Sequence, residues 1–306
     1  ADAVPASDLV PAEATLSPTS EVNPFVGTDG HGHTHPAASL PFGMVQLGPD
    51  TRTEGWDSCG GYHYSDSSIL GFSHTHLSGT GIADYNDVLV TPTLRKPEAA
   101  DLKTAPMPFD HANEAAGPGW YEVALDNGVR AQMTATPRVG VHRYHFPAGA
   151  TPGLVFDLEH RDEVLATELN KISDTEIAGR RRSKSWAQDQ DLYFVARFSR
   201  PITEFVGHGE DATALRAYLA FEASDAPLVV NVALSPVDIA GARKNLEAEA
   251  PDFDTAAYRE AADQSWAQTL GKIEIEGGAP AQRRTYRDRA PRRSGALSVA
   301  ANSQRA

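Results

Sequence analysis

Short apolar segments separated by turn residues recur through most of this chain, and they limit the folds it can adopt. The clearest pair is Trp120–Leu125 and Val129–Thr134, which flank the turn Asp126-Asn127-Gly128. Alternating segments on both sides of such a turn predict a β-hairpin. Further strands are predicted at Met44–Leu47, Ile69–Phe72, Val88–Val90, Val139–Phe146, Leu154–Leu158, Lys171–Ile177, Leu192–Phe198, Ala214–Phe221 and Leu228–Ser235. Because many short strands follow one another with few helices between them, we predict a mainly β fold, an antiparallel β-sandwich.

The pattern becomes helical near residue 240. Ala242–Ala250 is predicted to form a short helix, and Asp254 to cap a longer one over Thr255–Leu270. Residues of one helical face recur about every fourth position: Tyr258, Ala262, Trp266 and Leu270. We expect this face to meet a further domain, and to stay partly exposed where none follows.

These patterns divide the chain into four segments. Residues 1–20 are predicted to be a flexible lead, 21–240 the β-sandwich domain, 241–282 a helical junction, and 283–306 an atypical tail. The tail holds seven arginines and one aspartate without an apolar period. This composition predicts disorder, and a shift of reading frame near Thr285 is the alternative. Within the sandwich, residues 96–118 are rich in Pro, Ala and Asp and are predicted to be a loop.

Composition excludes several classes of protein. Apolar residues make up 41% of the chain and charged residues 22%, which is typical of a globular protein. No apolar segment approaches the roughly 20 residues of a membrane helix. The net charge of -14 argues against a nucleic-acid partner. The first residue is Ala1, in a lead rich in Pro, Ala and Ser. Such a start is typical of a mature exported protein, secreted or periplasmic, or of a trimmed sequence.

The single cysteine, Cys59, excludes an intrachain disulfide and a zinc site built from several cysteines. We expect its side chain to fill a small space in or near the interior.

Histidines are concentrated in the glycine-rich segment Val22–Thr91. His31, His33 and His35 alternate with other residues, and on a strand this spacing would place three imidazoles on one face. Such a set can bind a transition metal. Glycine and proline neighbours break a regular strand, however, so hydrogen bonding within a loop or contact with a ligand is the alternative.

Arg52, Trp56 and Asp57 are the best candidates for ligand binding. A guanidinium and a carboxylate can bracket neighbouring hydroxyl groups, and an indole can stack on the C–H face of a sugar. In the alternative interpretation, Trp56 packs beneath its loop and Arg52 pairs with Asp50 or Glu54.

Two aspartates later in the same segment, Asp84 and Asp87, offer ligands for a hard cation, but their spacing does not match an EF-hand, so both are expected in a surface turn. The sequence contains no Walker A loop, no HExxH and no G-x-S-x-G motif.

The order of the motifs in the same segment resembles one known family. The blocks that carry the likeness are Val22–Thr28, Gly30–Thr34, Pro41–Leu47, Pro49–Thr51, Gly61–Asp66 and Gly71–Gly81. They resemble the N-terminal domain of the glycoside hydrolase family 92 α-mannosidases. The likeness continues more loosely to residue 282.

The resemblance implies a two-domain enzyme. Family members are calcium-dependent exo-α-mannosidases that act on mannose-containing N-glycans and mannans with inversion. They place a β-sandwich against a C-terminal (α/α)6 barrel. The acid Glu, the base Asp and most calcium ligands lie in that barrel, so no catalytic residue and no metal ligand is assigned within this chain. The sandwich is expected to shape the sugar pocket, and the residues expected to bind substrate are Arg52, Trp56, Asp57 and His76.

The sequence departs from the family pattern after Gln282, where the arginine-rich tail stands in place of an apolar helix. We therefore expect the barrel, which would be the partner of the sandwich within one chain, to be absent and the chain alone to be inactive. Two other interpretations remain open. One is a free-standing carbohydrate-binding module, and the other is a transition-metal hydrolase that uses His31, His33 and His35.

Overall fold

Antiparallel strands form most of the fold. The computed structural model describes residues 17–209, 215–273 and 282 of the chain. The strands are β1 (Ala38–Ser39), β2 (Gln46–Asp50), β3 (Ser68–Ile69), β4 (Gly71–Ser73), β5 (Leu89–Thr93), β6 (Met107–Gly117), β7 (Trp120–Leu125), β8 (Arg130–Ala135), β9 (Val139–His145), β10 (Gly153–Asp157), β11 (Glu163–Ser173), β12 (Glu176–Lys184), β13 (Gln190–Phe198), β14 (Ile202–His208), β15 (Arg216–Phe221) and β16 (Leu228–Ser235). Two helices follow, α1 (Ile239–Glu249) and α2 (Thr255–Leu270).

The strands pair into two sheets. One has seven strands in the order β1-β2-β4-β5-β10-β15-β14, and the other has nine in the order β11-β12-β13-β16-β9-β8-β7-β6-β3. Aromatic rings from both sheets meet between them. Phe156 of β10 stacks on Phe194 of β13 with ring centroids 6.2 Å apart, and it meets Phe198 edge-on at 6.0 Å. The predicted antiparallel β-sandwich, followed by a short helical region, is confirmed.

Helix α1 covers the outer face of the larger sheet. Asp238 caps the helix, since its side chain accepts a hydrogen bond from the Gly241 N–H. Ala242 and Leu246 then pack on strand residues that include Val195 and Ala233. Because α1 covers one face and the sandwich core covers the other, every residue of β16 is buried. This double burial explains why its sequence lacks polar alternation.

Helix α2 packs against the sandwich of its own chain. Asp254 caps it through the Ala257 N–H, as predicted. Ala262, Trp266 and Leu270 are buried, and the Trp266 indole N–H donates to the Ser39 carbonyl oxygen at 2.6 Å. The expectation that this face stays partly exposed is wrong for these three residues, because the sandwich itself covers them, whereas Tyr258 is half-buried. Neither helix of the described ranges has the length and apolarity needed to cross a membrane.

Two local predictions are wrong. The predicted loop at 96–118 contains the long strand β6. The predicted strand Lys171–Ile177 is a hairpin instead, in which Lys171 pairs with Ile177 across the turn between β11 and β12.

The described residues cover only part of the two terminal segments. In the predicted lead, Pro18–Glu21 forms a turn of 3-10 helix in which Thr19 is buried. Residues 1–16 of the lead, 274–281 of the junction and the whole tail lie outside the described residues.

Candidate functional site

Trp56 presents an indole at the surface. A short 3-10 helix, Trp56–Ser58, follows Gly55, whose φ of 85° favours glycine. The Trp56 side chain is 61% exposed, and its ring meets His33 edge-on at 5.1 Å. Gly81 lies against the indole, where an added Cβ would stand only 2.7 Å from the ring atom Cη2. The contacts with His33 and Gly81 hold the ring while much of it remains free to stack on a ligand.

Asp57 collects hydrogen bonds from two histidines. His31 Nδ1 lies 2.7 Å and His33 Nε2 lies 3.0 Å from the same carboxylate oxygen, Oδ1. The hydrogen bond with Asp57 raises the pKa of His31, and the hydrogen bond from His31 lowers the pKa of Asp57. Both effects favour an ionised carboxylate beside Trp56.

Arg52 is held by a partner that the sequence did not suggest. Its Nε donates to Asp66 Oδ2 at 2.7 Å, and its Nη2 donates to Asp66 Oδ1 and to Ser65 Oγ. This fork raises the pKa of Arg52, and the nearby charge of Asp57 adds to the effect. Arg52, Trp56 and Asp57 together form what we call the Trp56 surface.

His76 lies beneath the Trp56 segment and does not reach solvent. It is 1% exposed, with Nδ1 at 2.8 Å from the Gln46 carbonyl oxygen and Nε2 at 2.7 Å from Asp50 Oδ1. Both neighbours are hydrogen-bond acceptors, so His76 can donate from both ring nitrogens and pair with Asp50. The structure thus places His76 in the support of the site and not on its surface.

Asp50 is the centre of this buried support. It also accepts from His160 Nε2 at 2.8 Å and from Asn86 Nδ2 at 2.7 Å. Burial by itself raises the pKa of the Asp50 carboxyl, but the charges and hydrogen bonds of His76 and His160 hold that pKa below its usual range. Neither Asp50 nor His160 was predicted from the sequence to support the site. The one available signal for Asp50 was its place in a motif block of the family.

His35 is separated from the other two histidines of the predicted trio. It is half-buried beside His76 with ring centroids 5.0 Å apart, and its Nδ1 accepts from the Ala37 N–H. Burial, followed by the charge of His76, lowers the pKa of His35. The prediction that His31, His33 and His35 form one metal-binding set is therefore wrong. The third potential ligand beside His31 and His33 is Asp57, not His35.

Asp84 and Asp87 are buried, and the prediction of a surface turn is wrong. Asp84 accepts from the backbone N–H groups of Tyr85 and Ala187, and Asp87 forms an ion pair with Arg181. These partners compensate for the loss of water around each carboxylate.

The segment that follows Asp84, residues 85–88, has a strained backbone. Tyr85, Asn86 and Val88 have φ values of 74°, 56° and 54°, and a β-branched residue rarely adopts such a conformation. Hydrogen bonds to neighbouring groups hold it. Arg161 donates to Asn86 Oδ1 at 2.6 Å and to the Ser58 carbonyl oxygen at 2.8 Å. This guanidinium joins the strained segment to the turn that carries Trp56. Strain stored beside a binding surface is typical of functional sites.

The fold and the Trp56 surface define a β-sandwich domain suited to binding a polar ligand. Residues 21–235 match the family model of the glycosyl hydrolase family 92 N-terminal domain, and residues 241–287 match that of the family 92 catalytic domain. The chain belongs to glycosyl hydrolase family 92, as the motif blocks predicted.

Solved structures support this assignment. One similar structure is a family GH92 α-mannosidase of Bacteroides thetaiotaomicron in complex with mannoimidazole, 31% identical, with a TM-score of 0.81. The match covers 90% of this chain and 39% of that enzyme. A family GH92 inverting mannosidase of Bacteroides thetaiotaomicron VPI-5482 is 28% identical, with a TM-score of 0.78 and coverage of 90% and 39%.

A curated relative gives the same family picture. It is named as an uncharacterized secreted glycosidase of Arthroderma benhamiae and is 29% identical over 297 residues. The match covers 84% of this chain and 38% of the relative. This chain therefore spans less than half the length of the relatives it matches.

Proposed function

We propose that this chain supplies one wall of a mannose-binding site in an exo-acting, inverting α-mannosidase that acts on terminal α-mannosides of glycans. The observation that carries the proposal is the family 92 match over residues 21–235. The names of the similar enzymes give the substrate class, and the secreted glycosidase among the relatives supports a secreted or periplasmic location.

The Trp56 surface suits a sugar. The exposed indole of Trp56 can stack on the C–H face of a pyranose, while the anionic carboxylate of Asp57 can accept hydrogen bonds from hydroxyl groups. Arg52 is 29% exposed at its side chain and stays aligned by Asp66. In this proposal His76 acts indirectly, because its ion pair with Asp50 supports the surrounding segment.

We assign catalysis to residues outside the β-sandwich domain. Inversion requires two carboxyl groups roughly 6.5–9.5 Å apart, with room for a water between them. The family's acid Glu and base Asp lie in its catalytic domain, whose model matches only residues 241–287 of this chain. We therefore propose that the 306-residue chain binds mannosides without hydrolysing them, and that the barrel is its catalytic partner.

Calcium does not fit the side chains described here. Within the described ranges, the grouping of three potential metal ligands is His31, His33 and Asp57. Calcium takes six to eight oxygen ligands, so two imidazoles and one carboxylate do not suit it. The calcium of the proposed enzyme is accordingly assigned to the catalytic domain.

Two tryptophans provide a matched test of sugar binding. Trp56 and Trp186 are 61% and 62% exposed, and Trp56 directly precedes Asp57 in the chain. We expect Trp56→Ala to weaken the binding of methyl α-mannoside about tenfold, because stacking and buried apolar contact are lost. Trp186→Ala should bind like the wild type. Titration calorimetry measures both affinities, and p-nitrophenyl α-mannoside with added Ca²⁺ reports turnover.

Equal affinities for the two variants would contradict the proposed stacking role of Trp56. Calcium-dependent turnover by the 306-residue chain would contradict the assignment of catalysis to another domain. The exposed indole of Trp56 also suits the alternative function, a free-standing carbohydrate-binding module. An assay of a longer protein that contains the catalytic domain distinguishes the enzyme from the module. Hydrolysis by that protein supports the enzyme, whereas binding without hydrolysis supports the module.

A further inference from the structure

Three potential metal ligands converge beside Trp56. His31 Nδ1, His33 Nε2 and Asp57 Oδ1 all lie within 4.8 Å of one another. All eleven histidines and the single cysteine of the chain fall within the described residues.

The backbone fixes the two imidazoles in this arrangement. Gly32 stands between them in such close contact with Gly27 that an added Cβ would collide with the Gly27 carbonyl oxygen. His33 has a φ of 51°, and its ring is only 6% exposed and meets Trp56. His33 is thus a built part of the surface, whereas His31, 77% exposed at its side chain, closes the cluster from the solvent side.

The spacing needs little adjustment to hold an ion. His31 Nδ1 and His33 Nε2 both form hydrogen bonds with Asp57 Oδ1, at 2.7 Å and 3.0 Å respectively. Ligand atoms at about 2.0–2.2 Å from a tetrahedral Zn²⁺ stand roughly 3.4 Å apart. If each histidine nitrogen moved about half an ångström away from Asp57 Oδ1, the ion would fit between the three ligand atoms. Three coordination bonds would then replace the two hydrogen bonds.

The types of ligand select the kind of metal. Imidazole suits zinc, copper, nickel and iron, and two imidazoles with one carboxylate are a recurrent transition-metal set. Three protein ligands also leave a coordination position open, as in catalytic zinc sites.

We propose that His31, His33 and Asp57 form a binding site for a divalent transition-metal ion of the zinc type. The site is distinct from the calcium of the proposed enzyme and does not depend on sugar binding. Because Asp57 belongs to both the metal cluster and the Trp56 surface, an ion bound there would compete with a sugar for this carboxylate.

His31→Gln is the most direct test, because this exposed side chain can change without disturbing the core. Zn²⁺ binding to the 306-residue chain is measured by calorimetry, and Co²⁺ binding by visible absorption. We expect a stoichiometry of one ion and at least a tenfold loss of affinity in His31→Gln and in His33→Gln. His145→Gln, which changes a histidine of β9 outside the cluster, should bind like the wild type.

Tryptophan fluorescence locates the ion independently. Co²⁺ bound at the cluster should quench the emission of the adjacent Trp56, and Trp56→Phe should remove most of that quenching. Unchanged Zn²⁺ affinity in His31→Gln, or displacement of Zn²⁺ by an equal concentration of Ca²⁺, would overturn the proposal.

Discussion

Arg181→Met should lower the free energy of unfolding by about 3–5 kcal/mol, because it leaves a buried carboxylate without its counter-ion. Arg181 lies on β12 of the larger sheet and is 1% exposed. It forms an ion pair with Asp87, which is fully buried just before β5 of the smaller sheet. The pair therefore joins the two sheets through charges that water cannot reach.

The other partners of Arg181 add to the expected loss. Its Nε donates to the Leu158 carbonyl oxygen at 2.8 Å, and its Nη2 donates to the Arg161 carbonyl oxygen. Two more acidic groups lie close by. Burial and the charge of Asp84 raise the pKa of Asp162 to about 7, while Arg181 opposes that rise. Without Arg181 the repulsion among these carboxylates is less compensated.

The next residue along the strand gives a matched control. Arg182 pairs with Asp189 through both ends of its guanidinium, but the two side chains are 42% and 55% exposed. Water screens this surface pair, so Arg182→Met should unfold at nearly the same urea concentration as the wild type. Similar unfolding midpoints for Arg181→Met and Arg182→Met, followed by circular dichroism, would argue against a stabilising role for the buried pair.

Local sequence patterns predicted much of the fold. The predicted strands Trp120–Leu125 and Leu228–Ser235 agree with β7 and β16 at both ends, and the Asp254 cap agrees with α2. Strand β12 was not predictable in this way, because its three arginines suggest exposure. Arg181 is buried only because Asp87, 94 positions earlier, lies beside it in the folded chain.

The types of residue in the candidate site were predictable from the sequence, but the burial of each side chain was not. Trp56 and His76 belong to the same polar and aromatic segment, yet one is 61% and the other 1% exposed. Asp57 was chosen as a sugar ligand, and its histidine partners 24 and 26 positions earlier were not foreseen. Such pairings depend on how loops cross in the folded chain, which no local spacing specifies.

Acid should destabilise this protein below about pH 6.5, because a chain of buried histidines must stay neutral. His74 Nδ1 donates to the Val88 carbonyl oxygen at 2.8 Å, so its Nε2 accepts from His142 Nε2 at 2.9 Å. His142 Nδ1 in turn accepts from the Tyr144 hydroxyl at 2.9 Å. In this arrangement a second proton on His74 would lie on Nε2 and face the N–H of His142, with no acceptor.

The pKa shifts give the direction and the pH range. The pKa of His74 is lowered to about 4, mainly by burial and also by the charge of His76, although the hydrogen bond to Val88 and the charge of Asp50 oppose the shift. Burial and then His74 lower the pKa of His142. Unfolded histidines take up a proton near pH 6.5, whereas the folded rings stay neutral. Stability is therefore fully present above about pH 6.5 and lost as the pH falls towards 4.

The loss from His74 alone should reach about 3 kcal/mol near pH 4, since one pKa unit corresponds to about 1.36 kcal/mol. Asp162 acts in the opposite direction. Its pKa is raised to about 7, so its contribution grows as the pH falls and offsets part of the loss.

Urea unfolding at pH 7.5, 6.5, 5.5 and 4.5 measures the pH dependence. The double variant His74→Leu and His142→Leu removes both titrating rings, so its free energy of unfolding should fall much less over this range than that of the wild type. Far-ultraviolet circular dichroism at pH 7.5 establishes that the double variant is folded before the comparison. An equal fall in both proteins would mean that other groups control the acid sensitivity. A flat wild-type curve would mean either that Asp162 offsets the whole loss or that these histidines are already protonated in the folded state, and a double variant whose stability rises towards pH 4.5 identifies the first case.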